Sequence, residues 1–82
     1  MLKVSVVSPE ATLYEGEATS VVAPAFDGEV GILPSHAPMI TVLGRGTLRV
    51  DGASPARFAV SGGFVQVVDD VVRVVTEHAT KA

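Results

Sequence analysis

Short apolar–polar alternations, cut off by breakers at intervals of about 8–12 residues, decide what this chain can fold into. Leu2, Val4 and Val6 alternate with Lys3 and Ser5. Leu48 and Val50 alternate with Thr47, Arg49 and Asp51, and Phe58 and Val60 with Arg57, Ala59 and Ser61. A period of two puts one side of a strand in a core and the other in water. Between these runs stand Ser8-Pro9, Gly16, Pro24, Asp27-Gly28, Pro34, Pro38, Gly44, Gly46, Asp51-Gly52, Pro55, Gly62-Gly63 and Asp69-Asp70. No segment sustains a helical period. The rhythm predicts an all-β fold, a β-sandwich or barrel.

Two connections are legible. Asp51-Gly52 suits a tight hairpin, because glycine accepts a positive φ without steric cost. Asp69-Asp70 lies between FVQVV and VVRVVT and predicts a second hairpin. The ending EHATKA holds helix formers but is too short for a stable helix. Ser61 reads as a strand end before a bulge at Gly62-Gly63.

With 82 residues the chain is expected to form one domain over 1–82. Hydrophobic residues make up 48% but aromatics only 5%, so valine, leucine, isoleucine and alanine must build the core. Valines also come in adjacent pairs: Val6-Val7, Val21-Val22, Val67-Val68, Val71-Val72 and Val74-Val75. Neighbours on a strand face opposite ways, so these strands are apolar on both faces. Some of these valines must lie outside, covered by neighbouring side chains and loops or forming an apolar docking surface.

A net charge of −3 argues against non-specific nucleic-acid binding and against a polybasic membrane anchor. Without cysteine there is no disulfide framework and no thiolate metal site. No run reaches the roughly 18–20 apolar residues of a membrane span, and no signal peptide is evident, so a soluble chain starting at Met1 is expected.

Catalytic arrangements are poorly served. His36 and Ser61, with Asp27 or Asp69 as orienter, lack the strand–elbow–helix context that exposes a nucleophile. His36 and His78 lack further ligands at metal spacing. No helix follows Gly28-x-x-Gly31 or Gly44-Arg45-Gly46, which a phosphate cradle would need. Glu15 and Glu17 flank Gly16 on one side of a strand, and solvated hairpin charges are their simplest reading. Asp27 and Glu29 bracket Gly28 in a loop, either as solvated charges or as a contact for a basic partner. His36 reads as a turn residue bonded to backbone, or as a partner contact.

Three segments carry a family resemblance: VVSPEATLYEGEA from Val6 to Ala18, DGEVGILPSHAPMIT from Asp27 to Thr41 followed by LGRGTLRV, and FAVSGGFVQVVDDVVRVVTE from Phe58 to Glu77. In this order the chain resembles the epsilon subunit of F-type ATP synthase, in its N-terminal β-sandwich domain. Gln66 stands where that family usually carries glutamate, and Ser35 where glycine is frequent. Family members continue into two C-terminal helices that brake ATP hydrolysis. This sequence ends at Ala82, so the resemblance implies coupling without helical inhibition.

The resemblance implies a flattened sandwich of two antiparallel sheets with about ten short strands, in a non-catalytic rotor subunit at the foot of the central stalk, between the gamma subunit and the c-ring. Its setting would be a hetero-oligomeric complex peripheral to the cytoplasmic face of a bacterial plasma membrane. It implies no cofactor, no nucleic acid and no membrane insertion. Asp27, Gly28 and Glu29 would face the c-ring, where charge complementarity gives acidic residues a use. Ser8, His36, Ala37, Pro38, Met39 and Thr41 would face gamma. The rival expectation is a stand-alone β-sandwich adaptor that binds another protein.

Overall fold

The computed structural model describes all residues, 1–82, as eight strands with no helix: β1 (Leu2–Val7), β2 (Thr12–Ala18), β3 (Ser20–Ala25), β4 (Gly28–Ile32), β5 (Met39–Val42), β6 (Arg45–Asp51), β7 (Ala56–Val68) and β8 (Val71–Lys81). They form one continuous sheet in the order β2-β1-β8-β7-β6-β3-β4, with β5 also on β7. The sheet folds over on itself into two layers. The shortest dimension of the Cα trace, 18 Å, fits two sheets stacked about 10 Å apart with their pleats.

β7 and β8 belong to both layers. In the first layer β5 pairs with Phe64–Val67, β7 with the start of β8, β8 with β1, and β1 with β2. In the second, β4 pairs with β3, β3 with β6, β6 with Ala56–Ser61 of β7, and that half of β7 with the end of β8. The fold-over lies at Gly62 and Gly63, whose φ values are 76° and 108°. Before it, Phe58 and Val60 are buried; after it, Val65 and Val67 are. The alternation therefore slips by one residue at the glycine pair. β8 slips with it, from buried Val72, Val74 and Thr76 to half-buried Ala79. Ser61 pairs with His78 and Gly63 with Thr76 at the same offset, so the pairing itself does not slip.

This geometry sets several expectations straight. The expected sandwich is present, but with eight strands in place of ten, because β7 and β8 each serve as two. The layers are not purely antiparallel, since β1 and β8 run parallel. No bulge follows Ser61, which sits inside a strand: two positive-φ glycines bend the ladder without adding a residue. The ending EHATKA is strand through Lys81, because the first half of β7 offers it a ladder partner and such pairing overrides weak helix propensity.

The hairpins are equally specific. Asp69 and Asp70 take φ values of 50° and 62°, and Val68 pairs with Val71 across them. Positive φ at both central residues is the tight type I′ connection that matches strand twist. The Asp51-Gly52 hairpin is wider than expected, since the last ladder pair is Val50 with Ala56. Its loop is held by other contacts: Tyr14 donates its hydroxyl to the Ser54 carbonyl at 2.7 Å, and Thr19 N donates to the Asp51 carbonyl at 2.8 Å. Thr19 is the corner where the chain leaves the first layer at β2 and enters the second at β3.

The core lies between the layers and is aliphatic, centred on Leu2, Val4, Val6, Val21, Ile32, Leu48, Val50, Val65, Val67, Val72 and Val74. Each such side chain contributes about 1.5–3 kcal/mol by leaving water. At one border Tyr14 meets Phe58 edge to face, ring centroids 6.3 Å apart. Each adjacent valine pair is split: Val6, Val21, Val67, Val72 and Val74 face in, while Val7, Val22, Val68, Val71 and Val75 are half-buried or exposed.

Candidate functional site

The outer surface of the first layer exposes the large hydrophobic side chains of Ile40, Val42, Phe64, Val68 and Val71. Alternation along β5 turns Met39 and Thr41 toward the core, half-buried, and sends Ile40 and Val42 outward at 67% and 57% exposure. Across the ladder Val42 is paired with Phe64, and Phe64 with Val75. Val75 in turn faces Val7 on β1. Exposed Val68 and Val71 extend the apolar surface toward the opposite end of the layer. Polar groups interrupt it at Gln66 and Arg73, a cross-strand pair. Scattered exposed aliphatics are ordinary, but the unbroken row Val42, Phe64, Val75 and Val7 crosses four neighbouring strands, the pattern of an interaction surface.

The segment between β4 and β5 borders one end of that face. Ser35 takes a φ of 68°, and its N–H donates to Asp70 Oδ1 at 2.6 Å. The β7–β8 turn thereby fastens the loop. His36 N donates to the Leu33 carbonyl at 3.2 Å, and His36 Nδ1 lies 2.7 Å from the Ala37 carbonyl oxygen. That contact needs a proton on Nδ1. The backbone-bonded turn role read from the sequence is what the loop displays. Ser35, His36, Ala37 and Pro38 line a shallow hollow with Asp69 and Asp70.

The acidic tip stands at the other end of β5. Ala25 pairs with Gly28 around the Phe26-Asp27 turn, and Asp27, Gly28 and Glu29 are all exposed. The tip is tied down by Phe26 N donating to the Val42 carbonyl at 3.2 Å and by Gly44 N donating to the Pro24 carbonyl at 2.7 Å. A Cβ on Gly44 would come within 2.8 Å of the Ala25 carbonyl oxygen, so only glycine lets these two backbones cross. Pro24 has no N–H to donate, and β3–β6 pairing stops at Val22.

The residues singled out in the sequence thus fall into three places. Asp27, Gly28 and Glu29 occupy the tip. His36, Ala37 and Pro38 occupy the loop at the far end of β5, with half-buried Met39 and Thr41 between. Ser8 lies apart in the β1–β2 turn, where its N–H donates to the Ala11 carbonyl at 2.8 Å. Sequence reasoning named Val68 and Val71 only as members of the valine pairs and did not single out Ile40, Val42 or Phe64. The valine pairs and the alternation of β5 were the available signal, but which member faces outward depends on the register.

The other candidate chemistry is dispersed. Ser61 lies opposite His78 and Arg45 on the outer surface of the second layer, while His36 borders the first layer. Glu15 and Glu17 are exposed side by side on β2, an edge strand. No group of three or more histidine, cysteine, aspartate or glutamate residues is placed to hold a metal ion. No helix is long and apolar enough to cross a membrane.

The chain matches a known family. The family model for the β-sandwich domain of the ATP synthase delta/epsilon chain matches residues 1–82, and the chain belongs to that family. The ATP synthase epsilon chain of Leptospira borgpetersenii serovar Hardjo-bovis is 46% identical over 78 residues, covering 94% of this chain and 61% of the relative. That of Rhodopirellula baltica is 52% identical over 75 residues, covering 90% of this chain and 59% of the relative. This chain therefore spans about three fifths of the length of these curated relatives. Among solved structures, a chain of the Euglena gracilis mitochondrial ATP synthase OSCP/F1/c-ring assembly superposes with a TM-score of 0.89 at 23% identity. The match covers 98% of this chain and 52% of that one. A chain of the Tetrahymena thermophila central stalk and c-ring gives 0.84 at 17%, covering 96% and 65%. At these identities the likeness is one of fold.

Proposed function

We propose that this chain is a non-catalytic rotor subunit of an F-type ATP synthase, clamping the gamma subunit to the c-ring so that ion-driven rotation reaches the catalytic head. The observation that carries this reading is the pairing of two chemically different surfaces across the short β5 strand. An apolar face with Ile40, Val42 and Phe64 begins where an acidic tip with Asp27 and Glu29 ends.

Gamma would cover the apolar face of the first layer, with Ser8 and the loop His36–Pro38 at its borders. The molecule measures 27 × 26 Å across its two longer Cα axes, a face of the same order as the roughly 800 Å² per partner of a stable interface. The c-ring would meet Asp27, Gly28 and Glu29, where carboxylates favour a cationic partner. Such a clamp transmits force through packed β-structure and forms no bonds, so it needs stiffness rather than a reactive group. Its place in the cell would be peripheral, on the cytoplasmic face of the bacterial plasma membrane.

One experiment with two arms tests it. Val42→Asp should abolish co-purification with gamma, and Glu29→Lys should uncouple ATP-driven proton pumping from hydrolysis, with melting temperatures unchanged in both. Retention of gamma by the first variant and full pumping by the second would return the chain to the adaptor class.

A further inference from the structure

The Phe26 side chain has no role in the fold. It is 72% exposed, more than any other large hydrophobic side chain in the molecule. The chain has only three phenylalanines, and Phe64 is exposed as well, so aromatics scarce enough to be valuable in the core are placed outside. Nor does local conformation ask for an aromatic. Phe26 is the first residue of a two-residue turn, a position served by small or polar residues.

The backbone beneath it is fixed from two sides. Phe26 N donates to the Val42 carbonyl, Gly44 N donates to the Pro24 carbonyl, and Ala25 bridges to Leu43. The ring is therefore held out from a preorganised hairpin, and burying it against a partner costs little ordering entropy. Aromatics presented this way are the residues that dominate interfaces. Asp27 follows immediately, and Glu29 lies two residues further on. A complementary surface must then offer an apolar cleft with cationic groups beside it.

We propose that Phe26 is the apolar anchor of the acidic tip, inserting into such a cleft on the c-ring, flanked there by basic side chains that pair with Asp27 and Glu29. This rests on the assignment of the tip to the ring. Its backbone link to Val42 would bring the ring contact directly against the edge of the gamma-facing surface.

The test titrates the complex of this chain and gamma against detergent-solubilised c-ring, with Phe26→Ala, Phe26→Leu and Glu29→Gln variants at low and high salt. Phe26→Ala should weaken ring binding about tenfold to a hundredfold, the range one buried phenyl ring supplies. That loss should persist at high salt, leave gamma binding and melting temperature unchanged, and be largely restored in Phe26→Leu. Glu29→Gln should lose affinity at low salt only, because screening already removes that contribution at high salt. Unchanged ring binding in Phe26→Ala with a loss in Glu29→Gln overturns the anchor while leaving the tip on the ring. Unchanged binding in both overturns the ring assignment as well. Weakened gamma binding with intact ring binding overturns the anchor too, since the occupant is then gamma.

Discussion

Gly63 is the position least open to substitution. Its φ is 108°, and a Cβ there would overlap the Val75 carbonyl and come within 2.8 Å of Thr76 Cα. Both obstacles are backbone atoms in the partner strand, so no side-chain rotation relieves them. Gly63→Ala should cost more than about 3 kcal/mol, since steric overlap adds to the strain of a positive φ. Urea titration by circular dichroism would measure this, and a midpoint near that of the unchanged chain would refute it. Ser35 presents the opposite case. Its φ of 68° is one that glycine adopts freely, and its side chain makes no hydrogen bond. Ser35→Gly should stabilise by up to about 1 kcal/mol, through relief of αL strain offset by backbone entropy. The same titration reads it as a rise in midpoint.

At the scale of elements, the β7–β8 turn does more than reverse the chain. Asp70 accepts the Ser35 N–H at 2.6 Å with its carboxylate, while its own carbonyl accepts Lys3 N at 2.8 Å. One residue thus ties β1, the turn and the 33–38 loop together. Asp70→Ala should free the loop at a cost of about 2–4 kcal/mol, from the lost bond to a charged acceptor and from placing alanine at a φ of 62°. Amide exchange would show lost protection at Ser35 with β5 still protected.

Much of the element plan was legible in the sequence. Strand alternation, the Asp69-Asp70 hairpin and the split valine pairs follow from local pattern. The continuity of β7 did not, because a Gly-Gly pair reads as punctuation, and only the unbroken pairing with β8 shows that it is a bend. The strand at EHATKA was hidden for the same reason, since its cause is a partner some twenty residues upstream. The acidic tip and the histidine loop could be named from residue types alone. The apolar face could only be suspected, because register decides that Ile40 and Val42 point out while Met39 and Thr41 point in.

For the whole molecule, the shared strands settle how stability is distributed. In a sandwich joined only by loops, one sheet can fray while the other holds. Here one strand pair, β7 and β8, runs through both layers, although the end of β8 is the edge of the second. The slowest-exchanging amides of both layers, on Val60 and Val65 for example, should share one opening free energy, equal to the global value from denaturant titration. Two distinct classes of slow amide, sorted by layer, would contradict this. The folded-over β7–β8 ribbon then behaves like a single leaf spring rather than two plates in contact. A load applied to either face is borne by covalent chain and hydrogen-bonded ladder along its whole length, and the two faces have no seam along which to slip.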